Sequence, residues 1–202
     1  AIVICALVGV LVELVAYRPV RRKGTSMSAL ITAIAMSLLL ENLAQAIPAM
    51  GPNPRVISDE IFSTAPMSLG GVSVNMAAVI TIVIAAVVMA ALQIFVQKTK
   101  LGRAMRAVSE NKEASTLVGI NVNRTIVTTF AIGSGLAAIA ALMYCAQYHT
   151  VTTTMGSMLG LKAFVAAVMG GIGLIPGAML GGIVVGIIEA LVTAYISSSL
   201  AN

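Results

Sequence analysis

The sequence predicts an all-α fold, a polytopic bundle of transmembrane helices with one short helix outside the membrane. Hydrophobic residues make up 59% of the 202 residues and charged residues only 9%, and the mean hydropathy is +1.03. About a quarter of the residues of a soluble domain are charged, so this composition excludes an ordinary soluble domain. Several apolar runs approach the roughly 20 residues that a helix needs to cross a bilayer.

Five apolar runs are predicted to be membrane helices: residues 1–17, 26–47, 76–96, 125–147 and 178–196. The run 76–96 has only Thr81 and Gln93 as polar residues. At 1.5 Å per residue it is about 31 Å long, which matches a hydrocarbon core of about 30 Å. The first run starts at Ala1 without a basic segment or a cleavage signal, which is not typical of a signal peptide. We therefore expect an internal fragment of a longer protein.

Small residues mark the predicted sites of close helix packing. Three are adjacent in the run 125–147: Gly133, Ser134 and Gly135. Glycines also recur at four-residue steps through Gly173 and Gly177. Helix packing alone explains this spacing, and direct contact with a substrate is the alternative. The short stretch 158–174 carries Lys162 and is predicted to be a re-entrant or tilted element, with a broken helix near 158–177.

Basic residues predict the topology. Ten of the 12 lie in two segments, residues 18–24 and 98–124, and Lys and Arg beside membrane helices mark cytoplasmic loops. Residues 48–72 are rich in proline and glycine and nearly neutral, so they are predicted to form the outer loop, either a surface for a delivery protein or a folded plug. Glu13 is expected to pair with a cation of the segment 18–24. The net charge of +5 does not indicate nucleic acid, because aromatic residues for base stacking are scarce.

Polar residues within the apolar runs are candidates for a substrate pathway. Glu41, Asn42 and Gln45 lie near the outer end of the second run, either at a wetted interface or on a pathway. Glu189 lies within the last run and needs a polar partner or water. His149 follows a span and adjoins several threonines, which is more typical of a hydrogen-bonded loop residue than of a ligand.

The long polar segment 98–124 has internal order. Asn111 can cap a short helix over Lys112–Val118, and Glu113 lies in its first turn, where the helix dipole favours an anion. Gly119 can adopt the left-handed conformation that ends a helix. The last residues of this helix are apolar: Leu117 and Val118. The helix is either a docking element or a solvated connector whose charges set the topology.

Three strings in the sequence carry a family resemblance. Glu113, Ala114 and Ser115, followed after three residues by Gly119, resemble the EAA loop of the membrane subunits of ABC importers. The strings LGRAMRAVSENKEASTLVGINVNR and GLKAFVAAVMGGIGLIPGAMLGG, with YRPVRRKG nearer the start, resemble the branched-chain amino acid permease family. Ser115 replaces the second alanine of the triplet, a change of small for small residue, and the Ile-x-Leu-Pro end of the general motif is absent.

The resemblance implies a transport subunit and its partners. These are cytoplasmic ATPase subunits, a second permease subunit and an extracytoplasmic binding protein that delivers leucine, isoleucine or valine. The protein would lie in the lipid of a bacterial plasma (inner) membrane, with no cofactor of its own, because a partner subunit binds ATP. The residues implied to couple to the ATPase are Lys112, Glu113, Ala114, Ser115 and Gly119.

Motifs for catalysis or nucleotide binding are missing from the sequence. It has no G-x-x-x-x-G-K-[ST] loop, no H-E-x-x-H and no G-x-S-x-G elbow, and its two cysteines, Cys5 and Cys145, are far apart. We therefore expect no enzyme and no metal site. The alternatives are a permease of the same family for urea or short amides, an ion-coupled secondary transporter that uses Glu41, Glu189 or His149, and a purely structural membrane protein.

Overall fold

The computed structural model describes residues 1–23, 26–47, 55–56, 67–69, 72–74, 76–148 and 150–195. Its α-helices are α1 (Ile2–Val12), α2 (Arg18–Lys23), α3 (Ser26–Ala46), α4 (Met76–Lys98), α5 (Lys100–Glu110), α6 (Lys112–Leu117), α7 (Val122–Tyr148), α8 (Met155–Met169) and α9 (Ile175–Tyr195). The described strands are β1 (Arg55–Val56), β2 (Met67–Leu69), β3 (Val72–Val74) and β4 (Thr150–Val151). The predicted all-α class is confirmed.

Within the described residues, four helical stretches are long and apolar enough to cross a membrane: Ile2–Val20, Met76–Lys98, Val122–Tyr148 and Ile175–Tyr195. At 1.5 Å per residue, α4 and α7 are about 34 and 40 Å long, which is enough for a hydrocarbon core of about 30 Å. Large apolar side chains such as Ile82 and Val87 are exposed along α4. A continuous apolar surface of this kind suits lipid, so the chain is a multi-pass membrane protein.

The chain divides into two compact units, residues 1–85 with 94–153, and residues 86–93 with the chain from Thr154 onward. In the first unit, α1 packs along α7. A Cβ atom on Gly9 would overlap the side chain of Ser134, and the ring of Tyr17 lies 5.0 Å from that of Phe130. Small residues on α7 therefore admit a neighbouring helix, as predicted.

A π-helical turn, Glu13–Tyr17, joins α1 to α2 before Pro19. Proline cannot donate a backbone hydrogen bond and crowds the carbonyl four residues earlier. The Arg18 N–H donates instead to the Glu13 carbonyl, five residues back. This spacing is that of a π-helical turn, which shifts the backbone hydrogen-bond register before the proline. Glu13 is fully buried, at 0% exposure. Its pairing with a cation of the segment 18–24 stays a prediction.

The described residues of the first unit include two pairs of short strands. β2 pairs antiparallel with β3, and β1 pairs antiparallel with β4, which places Arg55 opposite Val151. β1 belongs to the predicted outer loop and β4 follows α7, so the two segments meet at one end of the unit. Most of the predicted outer loop lies outside the described residues, as does His149.

The second unit is built on a hairpin of α8 and α9. A Cβ atom on Gly170 would overlap the Gly177 carbonyl, and one on Gly181 would overlap the Ala166 carbonyl. These two contacts occur in opposite order along the two helices, so the helices of the hairpin are antiparallel. Its turn includes Gly173, whose φ of 98° lies in the left-handed region that glycine adopts without strain. The predicted break near 158–177 therefore lies between α8 and α9.

The helix predicted over 26–47 is confirmed as α3, Ser26–Ala46. Residues 18–23 of the predicted cytoplasmic segment are helical, because Arg and Lys are good helix formers, and their cytoplasmic location stays a prediction. One predicted boundary was wrong. The last helix begins at Ile175, three residues earlier than predicted, because a helix tolerates Pro176 in its first turn, where N–H groups have no partner within the helix.

Candidate functional site

The candidate site is the polar segment between α4 and α7, and it starts with a tight turn at Thr99. The Thr99 Oγ1 accepts a hydrogen bond from the Gly102 N–H at 3.0 Å and donates one to the Phe95 carbonyl at 2.7 Å. Gly102 is buried, and a Cβ atom there would overlap the Val96 carbonyl. Because only glycine fits against this backbone, α5 can turn directly off the end of α4.

The helix α5 was missed by the sequence analysis, which predicted only one short helix in this segment. Its pattern was visible, since Leu101, Met105 and Val108 repeat at steps of four and three residues between basic residues. Val108 is buried, whereas Arg106 is exposed and its Nη2 donates to the Gln97 carbonyl at 3.4 Å, near the end of α4. This placement is favourable because a cation stabilises the carbonyl end of a helix.

The short helix α6 begins as predicted. The Asn111 Oδ1 accepts hydrogen bonds from the N–H groups of Glu113 and Ala114, each at 3.0 Å. Glu113 lies in the first turn, where a carboxylate is favourable. Asn111 is also the C-cap of α5, with φ −151° and ψ 112°, so one extended residue separates the two helices.

The end of α6 is also as predicted. Gly119 has a φ of 85°, in the left-handed region. Its N–H donates to the Thr116 carbonyl at 3.0 Å, and the Ile120 N–H donates to the Ser115 carbonyl at 3.0 Å. These two bonds form a Schellman motif, which satisfies carbonyls that the last turn would otherwise leave unpaired. Both ends of α6 are therefore fixed by specific caps.

One face of α6 is anchored and the other is open. Ser115 is 4% exposed and its Oγ donates to the Asn111 carbonyl at 2.8 Å, so a small side chain is required where α6 meets the rest of the segment. Lys112, Glu113 and Ala114 are exposed. The apolar residues at the tip are more exposed still: Leu117 at 88% and Val118 at 81%.

A cavity of about 400 Å³ lies under α5, between the end of α4 and the start of α7. It is lined mainly by apolar surface, with basic side chains at its edge: Val96, Met105, Arg106, Val108, Ser109, Lys112, Thr125, Ile126, Thr129 and Phe130. The cavity is open to the outside, so part of the apolar surface beside α5 is left uncovered.

The residues predicted to line a substrate pathway lie outside the segment between α4 and α7. Glu41 and Gln45 are half-buried on α3, and the exposed Asn42 donates from Nδ2 to the Leu38 carbonyl at 2.7 Å. Gly177 packs on Gly170 in the α8–α9 hairpin, which supports helix packing. Gly173 is exposed in the turn of that hairpin. Their role in a pathway stays a prediction.

One polar contact was beyond sequence reasoning. The Lys162 Nζ on α8 lies 2.8 Å from the Glu189 Oε1 on α9. The residues are 27 positions apart, and only the hairpin brings them together. Within the described residues, no group of three or more His, Cys, Asp or Glu side chains is placed to hold a metal ion. Cys5 and Cys145 are free thiols.

Apolar helices long enough to span a membrane, two of them joined through a short helix with capped ends, define a polytopic membrane protein. The chain belongs to the family described as branched-chain amino acid transport system / permease component, whose family model matches residues 1–202.

Individual relatives of the chain carry names that match this family. The high-affinity branched-chain amino acid transport system permease protein LivH of Escherichia coli is 42% identical over 206 residues, which cover 98% of this chain and 64% of LivH. LivH of Salmonella typhimurium is 41% identical over 207 residues, with the same coverage. The corresponding protein BraD of Pseudomonas aeruginosa is 39% identical over 198 residues, which cover 94% of this chain and 62% of BraD. The chain thus spans slightly less than two thirds of these relatives. No solved structure matches it.

Proposed function

We propose that this chain is the permease subunit of an ABC importer that carries branched-chain amino acids across the bacterial plasma membrane. The observation that carries the proposal is the geometry of α6, a helix with both ends capped that presents an exposed apolar tip between two spans. In this role α6 docks on a separate ATPase and couples ATP hydrolysis to movement of the spanning helices.

The tip of α6 supplies the docking surface. Leu117 and Val118 are almost fully exposed, and covering an apolar side chain of this size stabilises a complex by about 1.5–3 kcal/mol. Both residues together contribute about 3–6 kcal/mol before the entropic cost of association. Lys112 and Glu113 are exposed at the other end of α6, where they add polar contacts and fix the orientation of docking.

Anchoring of α6 supports a coupling role over a solvated connector. Ser115 is buried and hydrogen-bonded at the base of the helix, and α6 contacts both α5 and α7. A connector that only set the topology would need neither a buried anchor nor a Schellman cap. Replacement of the second alanine of the EAA triplet by serine fits this site, because Ser115 satisfies its hydroxyl within the helix.

The permease works together with partner subunits. The sequence has no phosphate-binding loop of its own, so ATP is bound by the partner ATPase and this chain needs no cofactor. The basic segments 18–24 and 98–124 face the cytoplasm by the positive-inside rule. The opposite face includes the strand pair of β1 and β4, which offers a surface for an extracytoplasmic binding protein. A second permease subunit completes the translocation unit.

Capture of the ATPase by the full-length permease in detergent tests the proposal. Leu117→Ser combined with Val118→Ser removes the apolar tip and leaves both caps in place, so we expect ATPase capture to weaken by about a hundredfold or more. Glu110→Gln is the matched control, because it changes an exposed charge of the same segment outside α6.

Leucine uptake in cells completes the test. Loop-dependent capture together with ATP-driven uptake of leucine supports the proposal. Uptake that collapses with the ion gradient and persists without an ATPase would instead identify a secondary transporter. Transport of urea or short amides in place of leucine would leave the coupling role intact and refute the substrate.

A further inference from the structure

The α8–α9 hairpin carries one ion pair in an otherwise uncharged stretch. Between Met155 and Tyr195 the sequence has only two charged residues, Lys162 and Glu189, and the structure places their charged atoms 2.8 Å apart. Their side chains are 28% and 38% exposed, respectively. The pair is therefore reachable from one side and does not lie sealed between the helices.

The pair lies within the apolar part of the hairpin. Lys162 is seven residues into α8, about 10 Å from its first residue, and Glu189 is six residues from the end of α9, about 9 Å. Because the helices are antiparallel, both positions are near the same end. A hydrocarbon core is about 30 Å thick, and a charge that faces acyl chains is costly. The exposed side of the pair is therefore expected to face water or a polar solute.

The hairpin has close packing contacts apart from these charges. The helices already meet through small residues, Gly170 against Gly177 and Ala166 against Gly181. An ion pair that is partly exposed typically contributes little to stability. A structural role alone thus gives no physical reason for a lysine and a glutamate on this seam.

The chemistry of an α-amino acid matches the pair. Its ammonium and carboxylate groups are bonded to the same carbon, so the two opposite charges lie side by side, as do Lys162 Nζ and Glu189 Oε1. The lysine can bind the carboxylate while the glutamate binds the ammonium group, and each charge-assisted hydrogen bond keeps a charge compensated. Urea and short amides carry no such pair of charges.

We propose that Lys162 and Glu189 form a binding site for the zwitterionic head of the amino acid during its passage through the permease. This inference rests on the proposed function. The ion pair holds the site closed when no substrate is present, and the substrate replaces the contact between the two side chains by one contact to each of them. Selection among aliphatic side chains is left to other surfaces, because this site contacts only the group that all α-amino acids share.

Leucine uptake by the complete transporter in proteoliposomes tests the site. In the full-length protein, Lys162→Met combined with Glu189→Leu removes both charges at similar volume. We expect assembly and the melting temperature to be retained and leucine uptake to fall by about tenfold or more, the effect of losing charged hydrogen bonds. Uptake equal to that of the wild type would overturn the inference, because the charges would then be unnecessary.

A reversed pair keeps the inference testable if the apolar variant fails to assemble. Lys162→Glu combined with Glu189→Lys restores an ion pair but exchanges the positions that bind the carboxylate and the ammonium group. An assembled reversed variant without uptake supports the inference, and one with full uptake refutes it. Wild-type transporter that moves no amino acid at all would refute the proposed function instead, so the two failures are distinguishable.

Discussion

Replacing Gly119 by valine tests the cap of α6 directly. Gly119 has a φ of 85°, and a Cβ atom there would meet nothing within 4 Å, so the substitution adds backbone strain without a steric clash. A residue with a side chain pays about 1–2 kcal/mol for the left-handed conformation, and a β-branched residue is especially disfavoured. Gly119→Asn is the matched variant, because asparagine tolerates this conformation.

The expected magnitude follows from the two outcomes open to the valine variant. It either keeps the cap under this strain or opens the cap and loses two hydrogen bonds, each about 0.5–1.5 kcal/mol. Opening releases the strain of about 1–2 kcal/mol, so the substitution favours local opening of α6 by about 5- to 30-fold. A helix of six residues has little stability of its own to absorb this cost.

Hydrogen exchange in the full-length protein measures this opening. The amides of Val118, Gly119 and Ile120 donate to carbonyls of the last turn, so they report on the cap. We expect faster exchange and loss of ATPase capture in the valine variant, with the asparagine variant close to the wild type. Equal exchange in all three proteins would refute the argument about the cap, and normal capture by an opened valine variant would refute the coupling role of α6.

Two further predictions concern packing and the start of α6. Gly170→Ala should lower the melting temperature in detergent by several degrees, because its Cβ would overlap the Gly177 carbonyl and overpacking costs about 1–3 kcal/mol; Gly182→Ala on α9 meets nothing within 4 Å and should leave it unchanged. Asn111→Ala should destabilise α6 by about 1 kcal/mol through loss of two cap bonds, seen as faster exchange of the first-turn amides, whereas Asn111→Asp should preserve them. Equal melting temperatures of the two glycine variants would contradict the explanation by packing. Unchanged hydrogen exchange in Asn111→Ala would contradict the explanation by capping.

Features set by neighbouring residues were predictable from the sequence. Asn111 and Gly119 bracket α6 because capping depends on residues within one turn of the helix end. The long apolar run of α4 was equally clear, since length and hydropathy decide it. The helix α5 was missed although Thr99 and its apolar period were visible, because its dense positive charge was interpreted only as a signal of topology.

Features set by tertiary contact were not predictable. The sequence showed that Glu189 needs a polar partner, but Lys162 becomes that partner only when the hairpin closes over 27 positions. Likewise, glycines at regular steps indicated close packing without showing that Gly177 meets Gly170. The π-helical turn before Pro19 forms because proline lacks a backbone donor and crowds the carbonyl four residues earlier. Hydropathy carries no signal for this effect.

The single residue between α5 and α6 has a mechanical consequence. Asn111 ends one helix and starts the next, and only residues 118–121 separate α6 from the 27-residue helix α7. A connection this short contains almost no slack. A load applied at the tip of α6 would therefore pass into α7 as torque rather than dissipate in loop motion, and α7, about 40 Å long, would act as a stiff lever across the bilayer.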